Sequence, residues 1–119
     1  MKKVLILGGS SDIGIETIKL FLNNNFKVYA HYSSNKKNLE KLKNKNLKLI
    51  KLNFKKLNSN NLNFHINNKL NNSYDIFINL VGYIDNKSYE KANLENILTS
   101  LKINSIVPIL IQKKIIRSM

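Results

Sequence analysis

Apolar and polar positions alternate along this chain with two periods, and the switches between them mark the elements. "KKVLILGG" runs through β-branched and leucine residues without a polar break and stops at glycine, as a strand buried on both faces does. Over residues 13–22 the period lengthens to that of an amphipathic helix, with Ile13, Thr17, Ile18, Phe21 and Leu22 on one side. Three asparagines end it, and "FKVYAHY" (26–32) predicts a second strand. Ser33, Ser34 and Asn35 then predict the cap of a charged helix over 36–44, with Leu39 and Leu42 turned inward. "LKLIKLNF" (47–54) alternates leucine with lysine and predicts a third strand. Residues 55–74 are asparagine-rich, and Leu57, Leu62, Phe64, Ile66 and Leu70 allow a short covering helix there. "YDIFINLVG" (74–82) predicts a fourth buried strand closing on glycine. Residues 93–116 carry a long helical pattern, nearly apolar all round after Ile103, which predicts burial on several sides.

Strand and helix alternating at short spacing indicate βαβ units and a parallel sheet. The expected class is therefore α/β: a Rossmann-like, doubly wound parallel sheet, of which about four strands with flanking helices form the first half. No repeat or linker divides the 119 residues, so one domain is expected.

Composition alters this picture little. Hydrophobic residues make up 43%, enough for a packed core. The absence of cysteine excludes disulfides and thiolate metal sites, and no metal site is expected. "MKKVLILGG" begins like a signal peptide, but its apolar stretch is short and leads straight into glycines. No uninterrupted apolar run nears the roughly 20 residues of a membrane span. A soluble cytoplasmic protein with no membrane partner is the expectation. The net charge of +13 raises the question of nucleic acid. The lysines, however, are dispersed among asparagines without an arginine cluster or interleaved aromatics, so nucleic acid is an unlikely partner.

Three of the four glycines sit in "ILGGSSDIGIE", between the first strand and the first helix. Such a junction binds phosphate for a physical reason: the first helical turn has unpaired N–H groups and a positive dipole end, and glycine lets backbone approach a pyrophosphate. Gly8, Gly9 and Gly14 are placed for that role, and Ser10 and Ser11 add hydroxyl donors. The spacing is neither G-x-G-x-x-G nor that of a P-loop, so on its own it reads equally well as a strand-to-helix turn.

Two further stretches join this one in a resemblance to the N-terminal half of short-chain dehydrogenases/reductases. That family's T-G-x-x-x-G-x-G loop lays Leu7 at the threonine, Gly8 at the first glycine and Gly14 at the last. Asp12 stands at the middle glycine, a departure that suggests it caps the following helix, and Ile13 matches the residue beneath the nicotinamide. The family's D-x-x-x-N-N-A-G strand end is met by Asp75, Asn79 and Gly82, with Leu80 and Val81 in place of Asn and Ala. There the asparagine braces the sheet, and the glycine lets the backbone pass the adenosine ribose. "NSIVP" matches the helix that carries the family's catalytic asparagine, here Asn104, with Pro108 four residues on. Proline has no N–H for the Asn104 carbonyl, which predicts a kink and a carbonyl free to hold a water.

The resemblance implies an NAD(P)-dependent oxidoreductase moving hydride between alcohol and carbonyl. The end of the second strand sets the preference: an acid there would bind ribose hydroxyls and repel a 2′-phosphate. Ser33, Ser34 and Asn35 with Lys36 or Lys37 instead favour NADP(H) over NAD(H). Asn53, where the family usually has Asp, is expected on the adenine amine. The family's serine and Tyr-x-x-x-Lys pair, which polarise the carbonyl and supply the proton, cannot be placed before Met119. Tyr83 and Lys87 have that spacing but in the loop after the fourth strand, which is the wrong element. Residues 1–119 thus read as a partial NAD(P)-binding domain without its catalytic half, inactive alone, and a truncated or fragmentary member. The alternative is a non-catalytic nucleotide-binding or partner-binding module. In either case a homo-oligomer through the 93–116 helix is expected to cover the apolar face.

Overall fold

The computed structural model describes residues 1–84 and 87–119. Four parallel strands, β1 (Lys3–Leu7), β2 (Lys27–Tyr32), β3 (Leu47–Lys51) and β4 (Ile76–Asn79), lie in the order β3-β2-β1-β4. Val4 pairs with Val28 on one side and with Ile76 on the other, so β1 is central and buried, as its unbroken apolar run requires. The chain winds outward to β3, then reverses to place β4 on the other flank of β1. This reversal opens a crevice at the carboxyl ends of the strands. The predicted α/β first half of a doubly wound sheet is the fold found.

Alternate strand residues face two cores. Val4, Ile6, Val28 and Ala30 pack with Ile18 of α1 (Asp12–Asn23) and Leu39 of α2 (Lys37–Glu40). Leu5, Leu7 and Tyr29 pack with Ile66 of α3 (Leu62–Lys69) and with Val107, Ile111 and Ile115 of α5 (Val107–Ile115), which follows α4 (Leu94–Leu101). Helix α1 ends where the asparagines predict. Asn25 takes a positive φ of 63°, the N–H of Phe26 reaches the carbonyl of Phe21, and the two rings close the turn edge to face.

Several expectations need correction. Helix α2 spans only Lys37–Glu40 rather than 36–44, because Lys43 turns to a positive φ of 39° and the Asn44 side chain accepts from the N–H of Asn46. Strand β3 stops at Lys51 because Asn53 starts a 3₁₀ turn over Phe54–Lys56. Ser11, not Asp12, is the cap of α1: its hydroxyl accepts from the N–H of Gly14, and Asp12 is the first helical residue.

Ile13 also leaves the predicted core stripe, 70% exposed, while Gly14 takes the buried position beside it. The last helical span is buried on one side only. Ile103, Val107, Ile111 and Ile115 face the sheet, each burial worth about 1.5–3 kcal/mol, whereas Leu94, Ile97, Leu98, Ile106 and Ile109 face outward. A single sheet face offers one contact surface, so an all-round apolar pattern exceeds what it can cover. The span Leu94–Ser118 is, by length and composition, apolar enough to cross a membrane. A count of uninterrupted apolar residues passes over it because polar residues such as Lys102 and Asn104 punctuate it. A narrow stripe of it packs on the sheet, and 22% of its apolar window is buried.

Candidate functional site

The glycines are where they are because nothing larger fits. Gly8 has a φ of +77°, and a Cβ there would lie 2.8 Å from the carbonyl of Leu80 beyond β4. At Gly14 a Cβ would meet the backbone oxygens of Gly9 and Gly8 at 2.5 and 2.6 Å. The loop therefore folds tightly against the start of α1 and the end of β4. Packing within the chain already accounts for these two residues, a stronger reason than approach to a ligand. Gly82 differs: among the described residues no atom lies within 4 Å of its Cβ position, so none of their contacts requires glycine there.

Over the strand ends lies a cavity of about 530 Å³. Of the residues expected at a cofactor site, Gly8, Ser10, Ser11 and Ile13 line it from the first loop, Ser33 and Asn53 from beyond β2 and β3, and Val81 and Gly82 from beyond β4. Asp12, Gly14, Ser34, Asn35, Asn79 and Asn104 do not line it. Among the described residues, the N–H groups of Asp12 and Ile13 have no acceptor within the chain, as expected for a first helical turn. Two free donors, the positive end of α1 and the hydroxyl of Ser10 suit a doubly charged phosphate group, whereas the Ser11 hydroxyl is engaged inside the loop, donating to the Gly8 carbonyl at 3.2 Å while it accepts from Gly14. The exposed side chain of Ile13 supplies an apolar wall.

Other expected residues have work inside the fold. Asn79 accepts from the N–H of Val81 at 3.1 Å, shaping the strand exit, and Asp75 accepts from the N–H of Lys3 at 2.8 Å, fastening β4 to β1. Asn53 accepts from the N–H of Lys55 at 3.0 Å, which occupies one lone pair of the carbonyl oxygen expected to meet adenine. Asn35 accepts from the N–H of Lys37, and Lys36 pairs with Glu40 at 3.1 Å, so its ammonium is already engaged. Asn104 clamps the loop after β4, its Oδ1 accepting from the N–H of Tyr83 at 2.7 Å and its Nδ2 donating to the Tyr83 carbonyl at 2.9 Å. The irregularity predicted from Pro108 is a π-helical turn over Lys102–Ile106 ahead of it, closed by the N–H of Val107 on the Lys102 carbonyl.

Eight further residues line the cavity without having been expected there, His31 among them. His31 is 4% exposed, and its ring links two strand ends: Nδ1 accepts from the N–H of Gly8 at 3.0 Å, and Nε2 meets the Leu52 carbonyl at 2.7 Å. With Nδ1 an acceptor, the proton sits on Nε2, which donates to Leu52. The ring stacks on Phe54 at 4.4 Å, and the His31 carbonyl accepts from Gly9 at 2.7 Å. Burial lowers its pKa to about 4 against the pull of the Leu52 carbonyl, keeping the ring neutral at ordinary pH. The available signal was a lone polar residue inside the apolar run of β2. Tyr32 and Lys36 also have the Tyr-x-x-x-Lys spacing, but they lie at the end of β2 and the ammonium belongs to Glu40. The Tyr83–Lys87 spacing passes through Asp85 and Asn86, which lie outside the described residues.

Residues 2–119 match the family model described as short chain dehydrogenase. The chain belongs to the short-chain dehydrogenase family. Its fold recurs in solved structures of that kind. An NADPH-bound carbonyl reductase from chicken fatty liver superposes with a TM-score of 0.78 at 20% identity, over 99% of this chain and 48% of that one. A 4-hydroxyisoleucine dehydrogenase complexed with NADH gives 0.81 at 24% identity, over 98% and 49%. A Serratia marcescens short-chain dehydrogenase/reductase gives 0.79 at 19% identity, over 99% and 51%. A search of curated protein sequences finds no match. This short-chain dehydrogenase chain thus spans about half the length of the solved structures it resembles.

Proposed function

We propose that this chain forms the dinucleotide-binding half of an NAD(P)-dependent oxidoreductase and takes NADP(H) in preference to NAD(H). The observation that carries the reading is the cavity itself, where the glycine loop, Ile13 at the start of α1 and the exits of β2, β3 and β4 converge. The pyrophosphate would lie over Ser10–Ile13 and the adenosine between Ser33 and Asn53, with the nicotinamide towards Ile13 and Val81. Preference for the 2′-phosphate rests on Ser33 and Ser34 with Lys37, which has no ion pair among the described residues. A carbonyl reductase solved with NADPH has this fold, and so has a dehydrogenase solved with NADH.

Hydride transfer would need a proton donor facing the nicotinamide, and no tyrosine follows Tyr89 in these 119 residues. The chain alone is therefore expected to bind the cofactor without reducing carbonyls, and a second copy is expected to cover the outward face of the last helices. Titration of NADPH and NADH fluorescence tests the reading. Saturable binding with NADPH at least several-fold tighter supports it, and no binding at millimolar cofactor overturns it.

A further inference from the structure

We infer that His31 is a positioning residue for the pyrophosphate loop, holding Gly8 by a ring nitrogen and so setting the course of the loop through Ser10, Ser11 and Ile13, which line the cavity. The inference rests on the dinucleotide reading above and extends it to a residue outside the glycine loop. Three segments meet at this side chain. Its Nδ1 holds the N–H of Gly8, its own carbonyl holds the N–H of Gly9, and its Nε2 holds the Leu52 carbonyl where β3 gives way to Asn53. Stacking on Phe54 fixes the ring plane, so neither nitrogen can swing away. The result is a division of labour among the loop amides. Gly8 and Gly9 point inward to His31, while Asp12 and Ile13 are left for an anion. Gly8 combines the φ of +77° that turns the chain after it with the N–H that His31 holds, so one residue serves both the steric and the hydrogen-bonding demand.

The test separates positioning from mere stability by using two ligands, NADPH, which carries a pyrophosphate, and adenosine 2′-monophosphate, which does not. His31→Phe keeps an aromatic ring against Phe54 but leaves Gly8 unheld. It is expected to weaken NADPH about tenfold or more, the scale expected when an unheld loop misplaces one hydrogen bond to the charged pyrophosphate, while changing adenosine 2′-monophosphate less than about threefold. His31→Asn, whose Oδ1 stands near the place of Nδ1, is expected to restore most of the NADPH affinity. Equal losses for both ligands, or none for NADPH, overturn the inference.

Hydrogen exchange on the unmodified chain provides a check that does not depend on the variant folding. The Gly8 amide is expected to be protected before ligand is added and to gain little with NADPH, the new protection falling on Asp12 and Ile13. A Gly8 amide that exchanges freely, or that is itself the one NADPH protects, overturns the inference. If the unmodified chain binds no NADPH, the dinucleotide reading falls and this inference with it. Binding without the ligand selectivity removes this inference alone.

Discussion

At Gly14 two tendencies oppose each other, and the magnitudes decide between them. Alanine would improve helix propensity by about 1 kcal/mol, but its Cβ would sit 2.5 Å from the Gly9 carbonyl, a backbone atom with nowhere to go. Gly14→Ala is therefore expected to lower stability by about 2–3 kcal/mol, read as a fall in urea midpoint at unchanged slope. Gly82→Ala, with no atom of the described residues within 4 Å of the new Cβ, should shift stability by less than about 0.5 kcal/mol. His31 makes a pH-dependent contribution. Its folded pKa of about 4 lies below the ordinary 6.5, so the unfolded chain binds the extra proton between these values. The stability it contributes is fully present above pH 6.5 and is lost as pH falls towards 4, by roughly 3 kcal/mol at about 1.36 per unit. Denaturation of the unmodified chain and of His31→Phe at pH 7 and pH 4.5 should show the slope in the first and lose it in the second. Tyr74 presents the reverse case. Burial pushes its hydroxyl up to about 12 against a lowering by the Asn72 side chain, and the buried oxygen has no hydrogen-bond partner among the described residues. Tyr74→Phe is expected to raise stability by about 1 kcal/mol.

At the scale of elements, the last helices tie the end of β4 into place. Asn104 lies within the π-helical turn, where its amide brackets both backbone groups of Tyr83, and Lys102 donates to the carbonyls of Lys55 and Leu57 from the same turn. Two loops that border the cavity are thereby pinned to one helical irregularity. Asn104→Ala is expected to cost about 1–3 kcal/mol, leaving the Tyr83 groups unsatisfied, and to speed amide exchange at Tyr83 well before that of β1. Exchange rates that rise equally across the sheet would count against this local account.

At the scale of the whole molecule, the chain is a thin slab of 47 × 29 × 17 Å. Its radius of gyration of 14.9 Å exceeds the ~13.5 Å of a compact domain of this length. The excess reflects incomplete cover: β4 is an edge strand, and Leu98, Leu101, Ile106 and Ile109 lie about half exposed along the outer helices. Such a surface invites association. Sedimentation at tens of micromolar is expected to show dimers or larger species, and a Leu98→Lys, Ile109→Lys variant should shift the population towards monomer with little change in thermal midpoint. An unmodified chain that stays monomeric would count against the expected second copy.

The strands, their parallel pairing and the strand-to-helix glycine loop could be read from the sequence, because an unbroken apolar run, a switch of period and a glycine cluster are local signals. So were eight of the residues that line the cavity, through their places at strand ends. Other features depended on contacts between segments distant in the chain. His31 matters because β2 lies beside both β1 and β3, and Gly14 because α1 folds back onto its own loop. Asn104 grips Tyr83 across 21 residues, and Ser11 displaces Asp12 as cap only once the loop geometry is set. Local periodicity decides which residues turn inward, whereas the partner that each inward polar group finds is decided by packing in three dimensions.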